Sequence, residues 1–301
     1  MRETGKMTMQ VRTPGIENIL EQMIALAGES PIYAKLAYYI EKNYLKIIFM
    51  TANDTAAEAG VSQGSVSRFC SSLGFRGYND FVRYLQKNVS EDISTPQRLK
   101  YAAGGHRDPV DHTLALEIKN LEELGAVMQS EAYAAAQRKI IDAPRLTLLS
   151  ARLSATLLPY MSYALHKMRN GVETVTPGGA DWDLLSLRDP AETEVIAIAF
   201  PRYAGVLVDK LRELHEGGFS VTLITDSRLS PAAEYAQNIL LVPVTTSSVF
   251  DVYSTPMALI NLLLRDAAAQ MPGLEQRLNR LEAYETTRQV YRRKPGRPPN
   301  A

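Results

Sequence analysis

From Gly60 to Phe75 the chain reads Gly-Val-Ser-Gln-Gly-Ser-Val-Ser-Arg-Phe-Cys-Ser-Ser-Leu-Gly-Phe, without a single acid. Gln63, Ser65, Ser67 and Arg68 can exchange hydrogen bonds with base edges, and nothing beside them repels a phosphate. Just downstream, Arg76, Arg83 and Lys87 face only Asp80, a local excess of cations suited to phosphate contacts. The chemistry on offer is recognition of a DNA groove. The seven candidate DNA-binding residues are therefore Gln63, Ser65, Ser67, Arg68, Arg76, Arg83 and Lys87.

A second set lies in the other half of the chain. Ser150-Ala151-Arg152-Leu153-Ser154 follows the apolar run Leu146 to Leu149, and Phe200-Pro201-Arg202-Tyr203-Ala204-Gly205 follows Val195 to Ala199. Arg152 and Arg202 present planar guanidinium forks that bind carboxylate or phosphate. Ser150, Ser154 and Tyr203 stand beside them, with Thr225 and Ser227 at the next strand end. These seven residues are the candidate site for a small anionic effector.

The elements that must position the first set are short helices. Val66, Phe69, Cys70 and Leu73 recur at i, i+3, i+4 and i+7, one apolar stripe of a helix. Ser62 is a good N-cap, and Gly60 and Gly74 punctuate the ends. Thr51 to Ala59 reads as a preceding helix, so the pair forms a helix-turn-helix whose second member can enter the major groove. Upstream, Ile16, Ile19, Leu20, Met23, Ile24 and Leu26 mark a weakly amphipathic helix. Ser30-Pro31 opens another, with Ile32, Leu36, Tyr39 and Ile40 inward. Tyr78 to Val89 follows the helix-turn-helix, with Phe81, Val82 and Leu85 inward.

Ser90 to Pro109 breaks every period and gathers Pro and Gly, as a linker would. Leu114 to Met128 is then helical, with Leu114, Ile118, Leu121, Leu124 and Met128 spaced for burial. After it, apolar strands at 146–150, 172–175, 194–199, 221–225 and 239–242 alternate with helices. That order predicts a doubly wound parallel sheet, with ligands outside the carboxyl ends of the strands. The fold class is thus α/β with an all-α N-terminal domain.

Ala56-Ala57-Glu58-Ala59-Gly60-Val61-Ser62, Ser65-Val66-Ser67-Arg68-Phe69-Cys70 and Leu73-Gly74-Phe75-Arg76-Gly77-Tyr78-Asn79-Asp80-Phe81 together resemble the N-terminal domain of RpiR-type bacterial transcriptional regulators. Ser65 stands where that pattern usually has Thr. The resemblance implies a sugar isomerase (SIS) domain downstream. Val195 to Ile198, Thr225-Asp226-Ser227 and Ser230-Pro231-Ala232 are similar to that domain locally. It also implies a sugar-phosphate pocket built from a glycine- and serine-rich first loop and a Ser-x-Ser-Gly-x-Thr third loop. Neither pattern is kept here, and Arg152 and Arg202 stand in their place. The region Ser247 to Pro256 resembles a SIS dimer contact that also reaches the partner's ligand pocket, which makes Ser254 an eighth candidate effector contact, with opening the last long helix as its alternative role.

The resulting organisation is an N-terminal extension (1–29), a helix-turn-helix domain (30–90), a linker (91–109), a SIS-like effector-binding domain (110–271) and a C-terminal helix with a basic, Pro-rich tail (272–301). Tyr291-Arg292-Arg293-Lys294-Pro295-Gly296-Arg297-Pro298-Pro299 contains a Pro-Gly-Arg-Pro core that resembles an AT-hook, though a merely solvated tail is the simpler reading.

Composition narrows the function classes. The chain has 301 residues, 33 basic and 33 acidic side chains, and one cysteine. Cys70 therefore has no disulfide partner within the chain, and its place on the apolar stripe makes it a buried thiol. No signal-like N-terminus and no membrane-length apolar run are visible, so a cytoplasmic location without membrane contact is expected. His166 and His215 fall within helices and His106 and His112 flank the linker, with no metal-binding or nucleotide-hydrolysing motif. Asp181-Trp182-Asp183 reads as a loop plug against the sheet. The chain is expected to be a non-enzymatic regulator without cofactor or metal, a homodimer or homotetramer on a palindromic operator. The rival is a sugar-phosphate isomerase or sensor enzyme carrying a helical dimerisation domain.

Overall fold

The computed structural model describes residues 14–89, 94–104, 109–245 and 249–292. The chain divides into two compact units, one of residues 1–121 with 244–253, the other of 122–243 with 254–301.

The first unit is helical: α1 (Pro14–Ala27), α2 (Pro31–Ile47), α3 (Ala52–Ala59), α4 (Gln63–Ser72), α5 (Tyr78–Val89), α6 (Thr95–Gly104) and α7 (Pro109–Met128), the last continuing beyond residue 121. Ile16, Ile19, Leu20 and Met23 of α1 join Leu36 and Ile40 of α2, Val66, Phe69 and Cys70 of α4, and Phe81, Val82 and Leu85 of α5 in one core. Ser30 caps α2 by accepting the Tyr33 N–H at 3.1 Å, with Pro31 where a missing N–H costs nothing. Ile24 and Ile32 lie on the solvent side of their helices rather than inward, because the apolar arc is wider than the surface it meets.

Two further departures lie past α5. A helix, α6, occupies part of the stretch that reads as a linker, opened by Ser94, whose N–H and hydroxyl both donate to Gln97 Oε1 at 2.8 Å. Pro96 sits in its first turn, where proline is tolerated. In α7, Leu114, Ile118 and Leu121 are 55, 51 and 40% exposed, while Leu116, Glu117, Asn120 and Leu124 are buried. Apolar spacing misses that face because half of it is polar, its Asn120 held by a hydrogen bond to Thr245.

The second unit is a five-stranded, all-parallel sheet of β1 (Arg145–Ser150), β2 (Val172–Val175), β3 (Thr193–Ile198), β4 (Ser220–Thr225) and β5 (Asn238–Leu241), in the order β2-β1-β3-β4-β5. Helices α8 (Glu131–Asp142), α9 (Leu158–Met168), α10 (Ala180–Leu184), α11 (Gly205–Glu216), α12 (Ser254–Gln270) and α13 (Leu274–Thr287) complete it. Val195, Ala197 and Ala199 pack with Leu207, Leu211 and Leu214 of α11. By the two-residue alternation of a strand, Ile196 and Ile198 face the opposite layer, where α8, α9 and α12 pack together. Strand order reverses between β1 and β3, so the fold's crevice opens at their carboxyl ends. The helix expected between the first two strands begins as a 3-10 turn, Arg152–Leu157, before α9.

Candidate nucleic-acid interface and effector site

Thr51 opens α3 with a reciprocal capping box: its hydroxyl accepts the Asp54 N–H at 3.1 Å and Asp54 Oδ2 accepts the Thr51 N–H at 3.0 Å. Gly60 closes α3 at φ 66°, a left-handed backbone that glycine adopts without strain. Val61 and Ser62 then turn the chain into α4, with Ser62 Oγ accepting the Ser65 N–H at 3.2 Å. Val66, Phe69, Cys70 and Leu73 fill the core, and the ring of Tyr33 meets Phe69 edge-on at 5.2 Å. The opposite face of α4 stands open. Burial pushes the Cys70 thiol up to about 12, so it is inert at neutral pH.

The candidate groove residues separate on this scaffold. Gln63 and Arg68 are exposed and Ser67 half-buried. Ser65 is only 4% exposed; its hydroxyl sits 2.9 Å from Ser62 Oγ and accepts a long hydrogen bond from Arg68 Nη2 at 3.4 Å. Arg76 is exposed, whereas Arg83 pairs with Asp80 at 2.9 Å. Lys87 belongs to α5, but its side chain lies outside the described residues. Asp80 also accepts the Arg76 N–H at 3.1 Å and lies 3.8 Å from Lys119. Burial alone would raise its carboxyl, but the Arg76 N–H, Arg83 and Lys119 outweigh that and hold it below the ordinary value.

At the carboxyl edge of the sheet, the side chains flanking the crevice are engaged. Ser150 Oγ donates to the Ile198 carbonyl at 2.7 Å, tying β1 to β3. Tyr203 Oη donates to Asp226 Oδ1 at 2.6 Å, Thr225 is buried with its hydroxyl 3.4 Å from that oxygen, and Ser227 Oγ accepts the Leu229 N–H at 3.1 Å. Ser154 is buried and Ser254 is exposed at the start of α12. Arg152 and Arg202 are set apart by their backbone. Both are exposed, and their φ angles are 59° and 63°, two of three non-glycine residues with positive φ among the described residues. A left-handed backbone costs a side-chain-bearing residue roughly 1–2 kcal/mol, and such strain concentrates at functional sites. One lies in each loop that flanks the β1–β3 reversal. The N-terminus of α11, just past Arg202, has Ala204 as its cap and no side-chain hydrogen bond, which leaves its first N–H groups and positive dipole end for an anion.

Residues 16–92 match the family model described as a helix-turn-helix domain of the rpiR family, and residues 139–265 match that of the SIS domain. The chain joins an RpiR-family helix-turn-helix to a SIS domain. That is the architecture of an HTH-type transcriptional regulator. An HTH-type regulator of Clostridium perfringens is 22% identical over 202 residues, covering 65% of this chain and 71% of that protein. The sugar isomerase domain of an RpiR transcription factor from Sphaerobacter thermophilus superposes with a TM-score of 0.52 at 22% identity, over 57% of this chain and 98% of that one. The Vibrio vulnificus NanR protein, solved in complex with ManNAc-6P, superposes with a TM-score of 0.50 at 16% identity, over 92% of this chain and all of that one. At these identities the two structures establish the fold.

Within the SIS domain, His166 and His215 lie away from the crevice, on α9 and α11, and both are exposed. Trp182, half-buried on α10, packs against the α11 side of the sheet with Lys210 5.8 Å above its ring. Among the described residues no cluster of His, Cys, Asp and Glu could hold a metal ion, and no helix is long and apolar enough to cross a membrane. His106 and residues 293–301 of the AT-hook-like tail lie outside the described residues, as does the side chain of His112. Asp226 was not among the candidate residues; its position directly after β4, beside Thr225, is the signal that points to it.

Proposed function

We propose that this RpiR-family protein binds an operator through the exposed face of α4 and that a small anionic metabolite, held between Arg152 and Arg202, changes its affinity for that DNA. The observation that carries the effector half is the pair of left-handed arginines at the sheet's topological switch point. Gln63, Ser67 and Arg68 serve as groove contacts and Arg76 as a phosphate contact. A homodimer, or each dimer of a homotetramer, places two α4 helices on a palindromic operator with half-sites one helical turn, ~34 Å, or a multiple apart. The anion class takes in phosphosugars, of which NanR's ligand is one, and carboxylates, since the guanidinium fork suits both. A regulator is favoured over an isomerase because the loops 150–154, 199–205 and 225–227 hold no His or Glu, and their one carboxylate, Asp226, already accepts the Tyr203 hydroxyl.

The test is fluorescence anisotropy of the full chain on a duplex from upstream of its own reading frame, titrated with ManNAc-6P and a panel of acidic metabolites. At least one anion should shift the DNA affinity, and R152M or R202M should erase that shift while leaving DNA binding alone intact. An unchanged response in both variants would remove the arginines from the site.

A further inference from the structure

Residues 244–245 and 249–253 pack with the helical unit, although β5 before them and α12 after them belong to the sheet unit. What fastens this segment is polar and buried. Arg98 of α6 donates from Nη1 to Asp251 Oδ1, and the two side chains are 3% and 7% exposed. Asn120 of α7 donates to Thr245 Oγ1 at 2.9 Å, and the Val252 N–H closes the segment on itself by bonding the Thr245 carbonyl at 2.9 Å. A sealed ion pair tolerates poorly the departure of one partner, because the other is left charged and unsolvated. Asp251 cannot move without moving Arg98 or breaking the pair.

The series continues toward the DNA-reading helix. Lys119 adjoins Asn120 on α7, and its ammonium lies 3.8 Å from Asp80 Oδ1. The other Asp80 oxygen accepts the backbone N–H of Arg76 at 3.1 Å, two residues past the Gly74 that ends α4. At its far end the segment runs straight into Ser254, the first residue of α12 and a candidate effector contact.

We propose that Asp251–Arg98, Thr245–Asn120 and Lys119–Asp80–Arg76 form a relay that transmits effector occupancy in the sheet unit, through the start of α12, to the carboxyl end of α4. The functional statement rests on the regulator reading above; the mechanical one, that the segment and the α4–α5 turn move as coupled elements, does not. Coupling of this kind must show itself as a free-energy dependence of one site on the other, not as proximity alone.

The experiment uses the full chain in two arms. In the first, the shift in duplex affinity caused by ManNAc-6P, or by whichever panel anion acts on the wild type, is measured for D251N, K119M and the double variant. Each single variant should cut a tenfold or larger shift to threefold or less, with anion-free DNA affinity within twofold of wild type, and the double variant should be no worse than either. An undiminished shift in both single variants overturns the relay. Should the wild type answer to no anion, the regulator reading fails and the second arm decides the relay by itself.

That arm is amide hydrogen exchange. D251N should speed exchange at Val252 and at Arg76 at least tenfold, and the swapped pair R98D/D251R should restore both toward wild type. K119M leaves the buried pair untouched, so it should speed Arg76 while sparing Val252. If Arg76 exchange is unchanged in both D251N and K119M, the relay does not exist.

Discussion

Around the start of α4 and around the carboxyl edge of the sheet, the fold handles its polar side chains differently. In the helix-turn-helix, residues of one short polar run divide by helix phase: Ser62 and Ser65 turn to each other and to the backbone, while Gln63, Ser67 and Arg68 stay on the open face. In the sheet domain the division follows backbone conformation. Ser150, Thr225, Ser227 and Tyr203 are tied into the strand ends, and the two exposed arginines sit where φ is positive. A DNA-reading surface needs only a regular helix with one apolar side, so ordinary geometry supplies it. The proposed anion site rests instead on two side chains carried by strained backbone, a kind of strain that clusters at functional sites.

The sharpest way to break this comparison is at Arg68. A guanidinium on the open face reading a base edge is worth about 1–3 kcal/mol, so R68A should weaken specific binding roughly ten- to a hundredfold and blur discrimination between operator variants. R76M should weaken all sequences alike and lower the salt slope by about one. R83M, by contrast, should act on stability, since its guanidinium serves Asp80. Anisotropy at several salt concentrations and a urea titration separate the three outcomes. An R68A protein that binds as wild type would take α4 out of the groove.

The sensing side is sharpened by glycine. At Arg152, φ 59° favours glycine over any side chain, and relief of roughly 1–2 kcal/mol of strain is partly offset by about 0.5–1 kcal/mol of extra unfolded-state entropy. R152G should therefore match or exceed the wild type in thermal midpoint while losing the anion response. R152M should lose the response and gain no stability. A drop of more than about 1 kcal/mol in R152G would mean that the guanidinium supports the fold rather than a ligand.

How much of this was legible in the residues follows the same line. The five strands of the sheet domain fall within a residue of their expected bounds because each apolar run is short, continuous and bounded by turn formers. The α4 stripe is as clear, since Val66, Phe69, Cys70 and Leu73 are all buried. The inward face of α7 was not legible: Asn120 is buried with its partner Thr245 far along the chain and Glu117 beside it, and no local pattern announces that hydrogen bond. The sign of φ at Arg152 and Arg202 was equally hidden, because glycine or asparagine is the usual token of a left-handed residue. Ser65 reads as a groove contact from composition, but the cap geometry of Ser62 turns it inward.

The smallest effect concerns Asp80, the carboxylate of the proposed relay that lies beside the end of α4. Its carboxyl is held below the ordinary value of 3.8 despite the opposing influence of burial, by the Arg76 N–H, Arg83 and Lys119. The folded chain thus binds this proton less readily than the unfolded chain does. The stability it lends is complete above the ordinary carboxylate value of about 4 and disappears as pH falls through the lower folded value. The carboxylate is half-buried and still reached by solvent, which screens its partners, so the contribution is about 1 kcal/mol or less. In urea titrations from about pH 5 to pH 2, D80N should start less stable than wild type and close the gap as the wild-type carboxyl takes up its proton. Curves that stay parallel across that range would show that Asp80 does not hold the α4–α5 turn through its charge.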